Sequence, residues 1–406
     1  MTLLHDLPNP QRRAIDLVKE VSMEKDVRPF LVGGPVRDML LGRPAIDIDL
    51  TVEDNASTLA RAIAKRIEGR VRSFPQFMTY KVTASEFPEI DITTARKERY
   101  RKPGALPLVT EGRLKDDLLR RDFSINAIAL DLLRGTMHDP AHGERDLDAR
   151  VVRVLHDKSF ADDPTRIFRA VRLAARLGFA LEDHTAELMR EAIEADALAT
   201  VTKERLWREV FLAMDEPFAP AILTSLCEHG ALRVLFGRRA CSESSARLET
   251  IHAQLAANPE LDRHVLYTGA LLRGDASPVD FEGSGFSQKR ARAVVEIANE
   301  LPRVEEALRA AGDDRERFRI YRGVSPEMLI VLGSEVPDEL THIRRYRDFE
   351  NFRLPLRGND LEVPGGPHVA QALEQTRAAV FNGEITPEEA RSYAKKVARA
   401  LMEQAS

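Results

Sequence analysis

Cysteine is almost missing from this chain. Of 406 residues only Cys227 and Cys241 are cysteines, too few for a disulfide framework and without metal-site spacing, so the fold is expected to rest on packing and no structural zinc is expected. No stretch approaches the roughly 18 uncharged apolar residues of a membrane span. The start, Met1-Thr-Leu-Leu-His5-Asp6, lacks the basic opening and apolar run of a signal peptide. A cytoplasmic protein without membrane attachment is expected. Charge of neither sign dominates: the formal net charge is −5, so binding to a polyanion would need a local basic surface. Such a surface exists between Arg96 and Arg121, where nine Lys or Arg face four acids. Taken alone, a run of this kind also fits a solvated charged loop.

What is present is enough apolar material, 43% of the residues, for two to four domains. An opening helix is read over Gln11 to Glu24. Strand-like runs follow at Pro29 to Val32, Ile46 to Val52, Thr79 to Ala84 and Glu89 to Thr94, the last two forming a hairpin through Ser85 to Pro88. Pro103-Gly104-Ala105-Leu106-Pro107 interrupts the basic stretch as a loop able to move. Beyond Asp157 nearly everything reads at helical period. The expected fold is therefore α+β, an N-terminal α/β head followed by helices. Near the C-terminus Pro364-Gly365-Gly366-Pro367 precedes a helix ending at Asn382-Gly383. Thr386-Pro387-Glu388-Glu389 reads as the capped start of another.

The chemistry is carried by a few short segments. Phe30-Leu-Val-Gly33-Gly34-Pro-Val-Arg37-Asp38 reads as strand, glycine turn and helix, a place where backbone N–H groups meet an anion such as phosphate. Ile46-Asp47-Ile48-Asp49-Leu50 puts two carboxylates at i and i+2 of an apolar strand, on one face and roughly 6.6 Å apart at the backbone. Two such anions repel unless a cation balances them, and Mg²⁺ favours one or two carboxylates plus phosphate oxygens. Asp47 and Asp49 are accordingly the expected metal ligands. Asp91, between Ile90 and Ile92, is the candidate third acid, either a ligand near the acceptor hydroxyl or the acceptor of its proton.

Farther along, Arg166, Arg169, Arg172 and Arg176 share about a third of a helical circumference, opposite Ile167, Ala170, Val171 and Leu173. Asp163 at the start of this helix can only accept hydrogen bonds and Arg166 can only donate them. Cytosine and adenine both carry an exocyclic amine beside a ring-nitrogen acceptor and satisfy such a pair. Uracil and guanine do not, at about 1 to 3 kcal/mol for each mismatched group. Arg169 and Arg172 would meet the triphosphate or the base edge.

Taken in order, Gly33-Gly34-Pro-Val-Arg37-Asp38, Asp47-X-Asp49, Arg120-Arg121-Asp122-Phe-Ser-Ile-Asn126-Ala127 and Asp162-Asp163-Pro-Thr-Arg166-Ile-Phe-Arg169-Ala-Val-Arg172 resemble the class II tRNA nucleotidyltransferase and bacterial poly(A) polymerase family. The resemblance covers roughly the first 210 residues. It implies a polymerase-β-like nucleotidyltransferase head over 1–140, then an all-α neck over 141–225 for base recognition, a body over 226–350 and a tail over 351–406 for tRNA. It also implies Gly34 and Arg37, beside Gly33, on the phosphate side, and Arg121, Asp122 and Asn126 on the sugar. Arg205 and Glu209 resemble a helix-stabilising motif, although a surface ion pair four residues apart explains them equally.

The implied activity is transfer of CMP and AMP from CTP and ATP to the tRNA 3′ end with Mg²⁺ and no nucleic-acid template. No obligate protein partner is evident. An enzyme adding only A, or a poly(A) polymerase, are the alternatives. The loop between Asp91 and Arg121 is not truncated, which argues against CC-only addition, and its Arg99 to Pro107 core lacks the acidic-basic pattern of a complete CCA enzyme. With aromatic residues at 6%, RNA contacts are expected through phosphates rather than by stacking. His5-Asp6, His138-Asp139 and His156-Asp157 have no histidine-rich partner set and are read as structural, not as a second hydrolase.

Overall fold

The computed structural model describes residues 4, 7–44, 47–237, 245–272, 274 and 276–404. The chain divides into two compact units, Met1–Val234 and Leu235–Ser406.

Amphipathic helix α1, Asn9–Glu24, opens the first unit and buries Ala14, Ile15, Val18 and Val21. Strand β1, Pro29–Val32, is buried along its whole length and leads into helix α2, Gly34–Leu40. Next come β2 (Ile48–Val52), helix α3 (Ala56–Arg66), β3 (Arg70–Phe74), β4 (Thr79–Ala84) and β5 (Phe87–Thr94). A separate two-stranded ribbon pairs β6, Arg96–Arg99, with β7, Leu108–Glu111. Helix α4, Leu114–Leu119, and strands β8, Ala129–Asp131, and β9, Met137–His138, complete the head. Its seven-stranded sheet runs β3-β4-β5-β2-β1-β8-β9, with β2 and β5 parallel and in register so that Asp49 lies beside Asp91. The remaining neighbours are antiparallel.

The expected hairpin is present, with its second strand starting at Phe87 instead of Glu89. Strand β2 begins at Ile48, and Ile46 lies outside the described residues. Sequence patterning missed β3, whose residues are only partly covered, and the β6–β7 ribbon, whose charged composition hides a strand period. The ribbon nonetheless frames the Pro103 to Pro107 loop as expected.

After the head, α5 (Gly143–Asp148) and α6 (Ser159–Asp162) precede the arginine-bearing helix α7 (Arg166–Leu177), then α8 (Asp183–Glu194), α9 (Lys203–Met214) and α10 (Ala219–Glu228). Helix α7 sinks Ile167, Phe168, Ala170, Val171, Leu173 and Leu177, the apolar arc expected from its period. Arg166 is buried with them, unlike Arg169 on the same arc. Cys227 lies within α10, and Cys241 lies outside the described residues.

The second unit is helical. Ser245–Ala257, Arg263–Leu271, Gln288–Ala310 and Pro326–Glu335 pack on one another. Pro367–Phe381 and Ala390–Gln404 enclose a small core of Leu356, Leu361, Ala372, Ala390, Ala394 and Ala398. The last helix begins at Ala390 rather than beside Thr386. Glu389 accepts from the Thr386 amide at 2.8 Å, so half of the expected capping box is made by a turn preceding the helix. No described helix is long and apolar enough to cross a membrane.

Candidate active site

The edges of β2, α2, α4 and α7 enclose a cleft of about 430 Å³ in the first unit. Gly34, Arg37, Asp47, Asp49, Arg121, Asp122, Asn126, Asp163, Arg166 and Arg169 all line it. Ten of the residues singled out from the sequence thus share one space. Arg172 does not line it. It faces a smaller adjoining cavity of about 130 Å³, and its guanidinium is neutralised by Glu209 at 2.9 Å and Glu216 at 3.5 Å.

The two sides of the cleft differ in how their charges are balanced. On the acid side Asp47 and Asp49 face the same space, and the parallel register brings Asp91 against Asp49. Burial, then Asp91, then the lesser charge of Asp47, push the Asp49 carboxyl up to about 6 against the opposing pull of Arg121 and Lys81. Burial also raises Asp91, against the pull of Lys81. Lys81 stands opposite Asp91 on β4, with Nζ 3.4 Å from Oδ2. The other oxygen, Asp91 Oδ1, is buried and has no hydrogen-bond partner among the described residues. This side holds more negative charge than its surroundings offset, the condition that favours a bound cation. Among the described residues no three His, Cys, Asp or Glu side chains converge closely enough to hold an ion by themselves. The donor set therefore fits an ion that takes some of its ligands from phosphate oxygens, as Mg²⁺ does.

On the arginine side nearly every guanidinium is already held. Asp122 Oδ2 accepts from both Nε (2.9 Å) and Nη2 (2.5 Å) of Arg169. Its Oδ1 accepts from Asn126 Nδ2 at 3.0 Å and from the Phe123 amide at 3.0 Å. Burial would raise the Asp122 carboxyl, but the Arg169 charge and these bonds hold it far below the usual carboxylate range. Arg37 donates to Asp38 at 2.9 Å and to Asn126 Oδ1 at 2.7 Å. Arg166 donates to Ser159 Oγ at 2.7 Å and to the Arg120 carbonyl at 3.0 Å. Two of its five N–H groups are occupied in this way and three remain.

Gly33 lies behind the cleft at φ +73, where an added Cβ would stand 2.6 Å from Arg121 Nη1. The backbone conformation calls for glycine, and any Cβ there would also push the Arg121 guanidinium aside.

Arg205 and Glu209 do not pair with each other. Arg205 donates to Asp163 Oδ1 at 2.9 Å and to the Gly104 carbonyl at 2.8 Å, whereas Glu209 goes to Arg172. The loop expected to be free is thus tied down at one point. The Gly104 amide donates to the Asp162 carbonyl at 3.2 Å. With φ +69, Gly104 would bring an added Cβ within 2.8 Å of the Thr200 carbonyl oxygen. Gly104→Ala is expected to undock the loop. Trypsin should then cleave after Arg99 and Arg101 roughly 10-fold faster, following the larger open fraction. Unchanged cleavage would show that the docking is not set there.

Sequence reading missed several lining residues. Glu98 accepts from Arg96 at 3.1 Å, Arg120 at 2.8 Å and Tyr100 at 3.2 Å, and its signal was that of a single acid among basic neighbours. Tyr100 was missed likewise, whereas Asp38, Arg120 and Arg176, named within their motifs but given no role, complete the lining. The two described His-Asp dipeptides lie elsewhere. His138 packs edge-on against Phe30, Asp139 accepts from the Gly143 and Glu144 amides, and Asp157 meets His184. His5-Asp6 lies outside the described residues.

Residues 29–153 match the family model of the poly(A) polymerase head domain, and 178–239 that of the probable RNA and SrmB-binding site of polymerase A. The A-adding tRNA nucleotidyltransferase of Halalkalibacterium halodurans is 34% identical over 73% of this chain and 71% of its own length. The CCA-adding enzyme of Geobacillus stearothermophilus is 30% identical over 95% of this chain and 96% of its own. The match to the A-adding tRNA nucleotidyltransferase of Geobacter sulfurreducens takes in 93% of this chain but 46% of that protein, at 30% identity; this chain spans about half of that longer relative. Among solved structures, the Thermotoga maritima CCA-adding enzyme complexed with tRNA superposes with a TM-score of 0.82 at 25% identity over 98% of both chains. A tRNA-processing enzyme with CTP superposes with a TM-score of 0.73 at 27% identity over 90% of this chain and 100% of the other.

Proposed function

We propose, for a chain that belongs to the family of tRNA nucleotidyltransferases and poly(A) polymerases, that it builds or repairs the 3′-terminal CCA of tRNA from CTP and ATP in the cytoplasm. The carrying observation is that one cleft is lined both by two under-neutralised acids, Asp47 and Asp49, the latter backed by Asp91 on the next strand, and by an acid–arginine pair, Asp163 and Arg166. The first suits phosphoryl chemistry and the second suits reading a base edge.

Enzymes of this family use a divalent metal, here taken as Mg²⁺, which Asp47 and Asp49 would hold. When bound it spreads the charge of the triphosphate and acidifies the attacking hydroxyl. The chain's own groups do the rest. Arg37 holds the phosphates, Arg121 and Asn126 meet the sugar, and Asp122, its two oxygens filled by four donors, keeps Arg169 and Asn126 in place. The tRNA 3′-hydroxyl oxygen forms a bond to the α-phosphorus as the bond to pyrophosphate breaks. Asp91, with Oδ1 unpartnered and its basicity raised by burial, takes the hydroxyl proton. Asp163 Oδ1 is fully used by Thr165 and Arg205. Its Oδ2 makes no hydrogen bond among the described residues, leaving it for the exocyclic amine that cytosine and adenine share. In this reading head and neck occupy 1–140 and 141–225, body and tail 226–350 and 351–406.

A second reading, addition of the terminal A alone, is favoured by the Arg99 to Pro107 loop and by the A-adding relatives. Product length on tRNA lacking CCA, with CTP alone, ATP alone and both, separates the two. Complete synthesis requires extension with CTP alone and full length with both. An A-adding enzyme extends only tRNA already ending in CC. Long A tails on unrelated RNA would defeat either tRNA reading and favour a poly(A) polymerase.

A further inference from the structure

Asp117 is wholly buried and lines no part of the cleft, yet the residues that line it converge there. Its Oδ1 accepts from Arg120 Nε at 2.9 Å and Nη2 at 2.7 Å. Its Oδ2 accepts from Arg121 Nη2 at 3.0 Å and from Thr51 Oγ1 at 3.3 Å. Four donors leave neither oxygen for a ligand, so this carboxylate does not touch substrate.

The partners have different neighbours in the cleft. Arg121 crosses Gly33 and acts on Asp49 through its charge. Arg120 donates to Glu98 through Nη1 at 2.8 Å, and its carbonyl receives Arg166. Thr51 is buried on β2, two positions beyond Asp49 and on the same face. Resting on the reading of the cleft as a nucleoside triphosphate site, we propose that Asp117 is a positioning residue for nucleotide binding. It fixes Arg121 toward the metal side and Arg120, with Arg166 against it, toward the base side.

A carboxylate is needed for two reasons. Arg120 and Arg121 both donate to Asp117, and Arg96 is held within reach of the charges of Arg120 and Asp117, so an anion there lowers the repulsion between guanidinium groups. Burial would raise the Asp117 carboxyl, but Arg121 and Arg120 outweigh it and keep it ionised. An amide, moreover, has one acceptor oxygen, and its NH₂ would point at a guanidinium donor. Asp117→Asn must therefore release Arg120 or Arg121.

The test compares the full-length protein with Asp117→Asn, reading ATP affinity by equilibrium binding, AMP addition kinetics and tRNA affinity. Expected is a loss of about 10²-fold in kcat/KM, the scale of an ångström-level displacement of a binding group, carried mainly by a weaker KM for ATP, with tRNA affinity unchanged. A purely structural role would lower the active fraction and leave KM alone. Adding Asp117→Asn to Arg121→Ala should cost far less than it does in the unsubstituted protein, because the residue acts through that arginine. Unchanged ATP KM in the folded variant, or full additivity with Arg121→Ala, overturns the proposal.

Should Asp117→Asn not fold, Thr51→Val removes one anchor with little change of shape. It should weaken ATP binding by about 3- to 10-fold, the worth of one hydrogen bond, and normal binding there overturns the proposal equally. Failure of the unsubstituted protein to add AMP would count against the function itself, and that control keeps the two failures apart.

Discussion

Asp49→Asn is expected to lower nucleotide addition by about 10³-fold or more, the scale of losing a major electrostatic contributor to the transition state, while making the metal-free protein more stable. Both halves follow from one carboxylate. It titrates at about 6 in the fold against 3.8 for the free group. As pH rises, the unfolded chain loses this proton first. The native state is therefore penalised progressively between those two values and fully above the upper one. The gap between them bounds the penalty at about 3 kcal/mol, and relaxation of the surroundings reduces it.

Removing the charge should raise the melting temperature of EDTA-treated protein by a few degrees at pH 7.5, with little difference below about pH 4. Mg²⁺ with ATP should stabilise the unsubstituted protein, by preferential binding to its folded state, much more than the variant. A melting curve series across pH, with and without Mg²⁺, checks all of this. A variant that keeps its activity, or that melts lower at pH 7.5 without metal, would remove the metal role from this residue.

Asp163→Ala should relax base choice. The ratio of kcat/KM for ATP over GTP, and for CTP over UTP, should fall by about 10²-fold, the scale expected when a site loses the group that pairs with a substrate amine. Affinity for tRNA should stay the same. The substitution also frees Arg205, so Arg205→Ala serves as the companion variant. It unties the loop at Gly104 and one oxygen of Asp163 but keeps the acid, and it should retain most of the discrimination. Equal loss in the two variants would mean that the tether, not the carboxylate, selects the base. Arg166→Ala is less informative, because Arg166 is buried and bonded to Ser159 and the Arg120 carbonyl, so its removal disturbs the neck itself.

How far the site can be read before folding is shown by individual residues. Asp47 and Asp49 are legible because strand alternation acts over two positions and the surrounding residues are apolar. Arg169 is legible as basic, but its clamp on Asp122 lies 47 positions away. Arg172 has the same sequence signature as Arg169 and a different position, outside the main cleft, because Glu209 and Glu216 claim it. Lys81 gave no signal at all; only the β4–β5 register sets it against Asp91. For Arg205 and Glu209 the local explanation, a pair four apart on one helix, is the one the fold does not use.

By itself the sequence determined the α+β division, the strand bearing two carboxylates, the amphipathic α7 and the order of the four motifs. Each of these follows from periodicities and turn chemistry that act within a few residues. Only the tertiary structure decided which charges meet. Asp49 with Asp91, Arg205 with Asp163 and Gly104, and Asp117 with Thr51 and two arginines are pairings made by strand register and helix docking. Coulomb and hydrogen-bond energies depend on separation in space, and chain distance carries no information about that until the sheet and helices have packed.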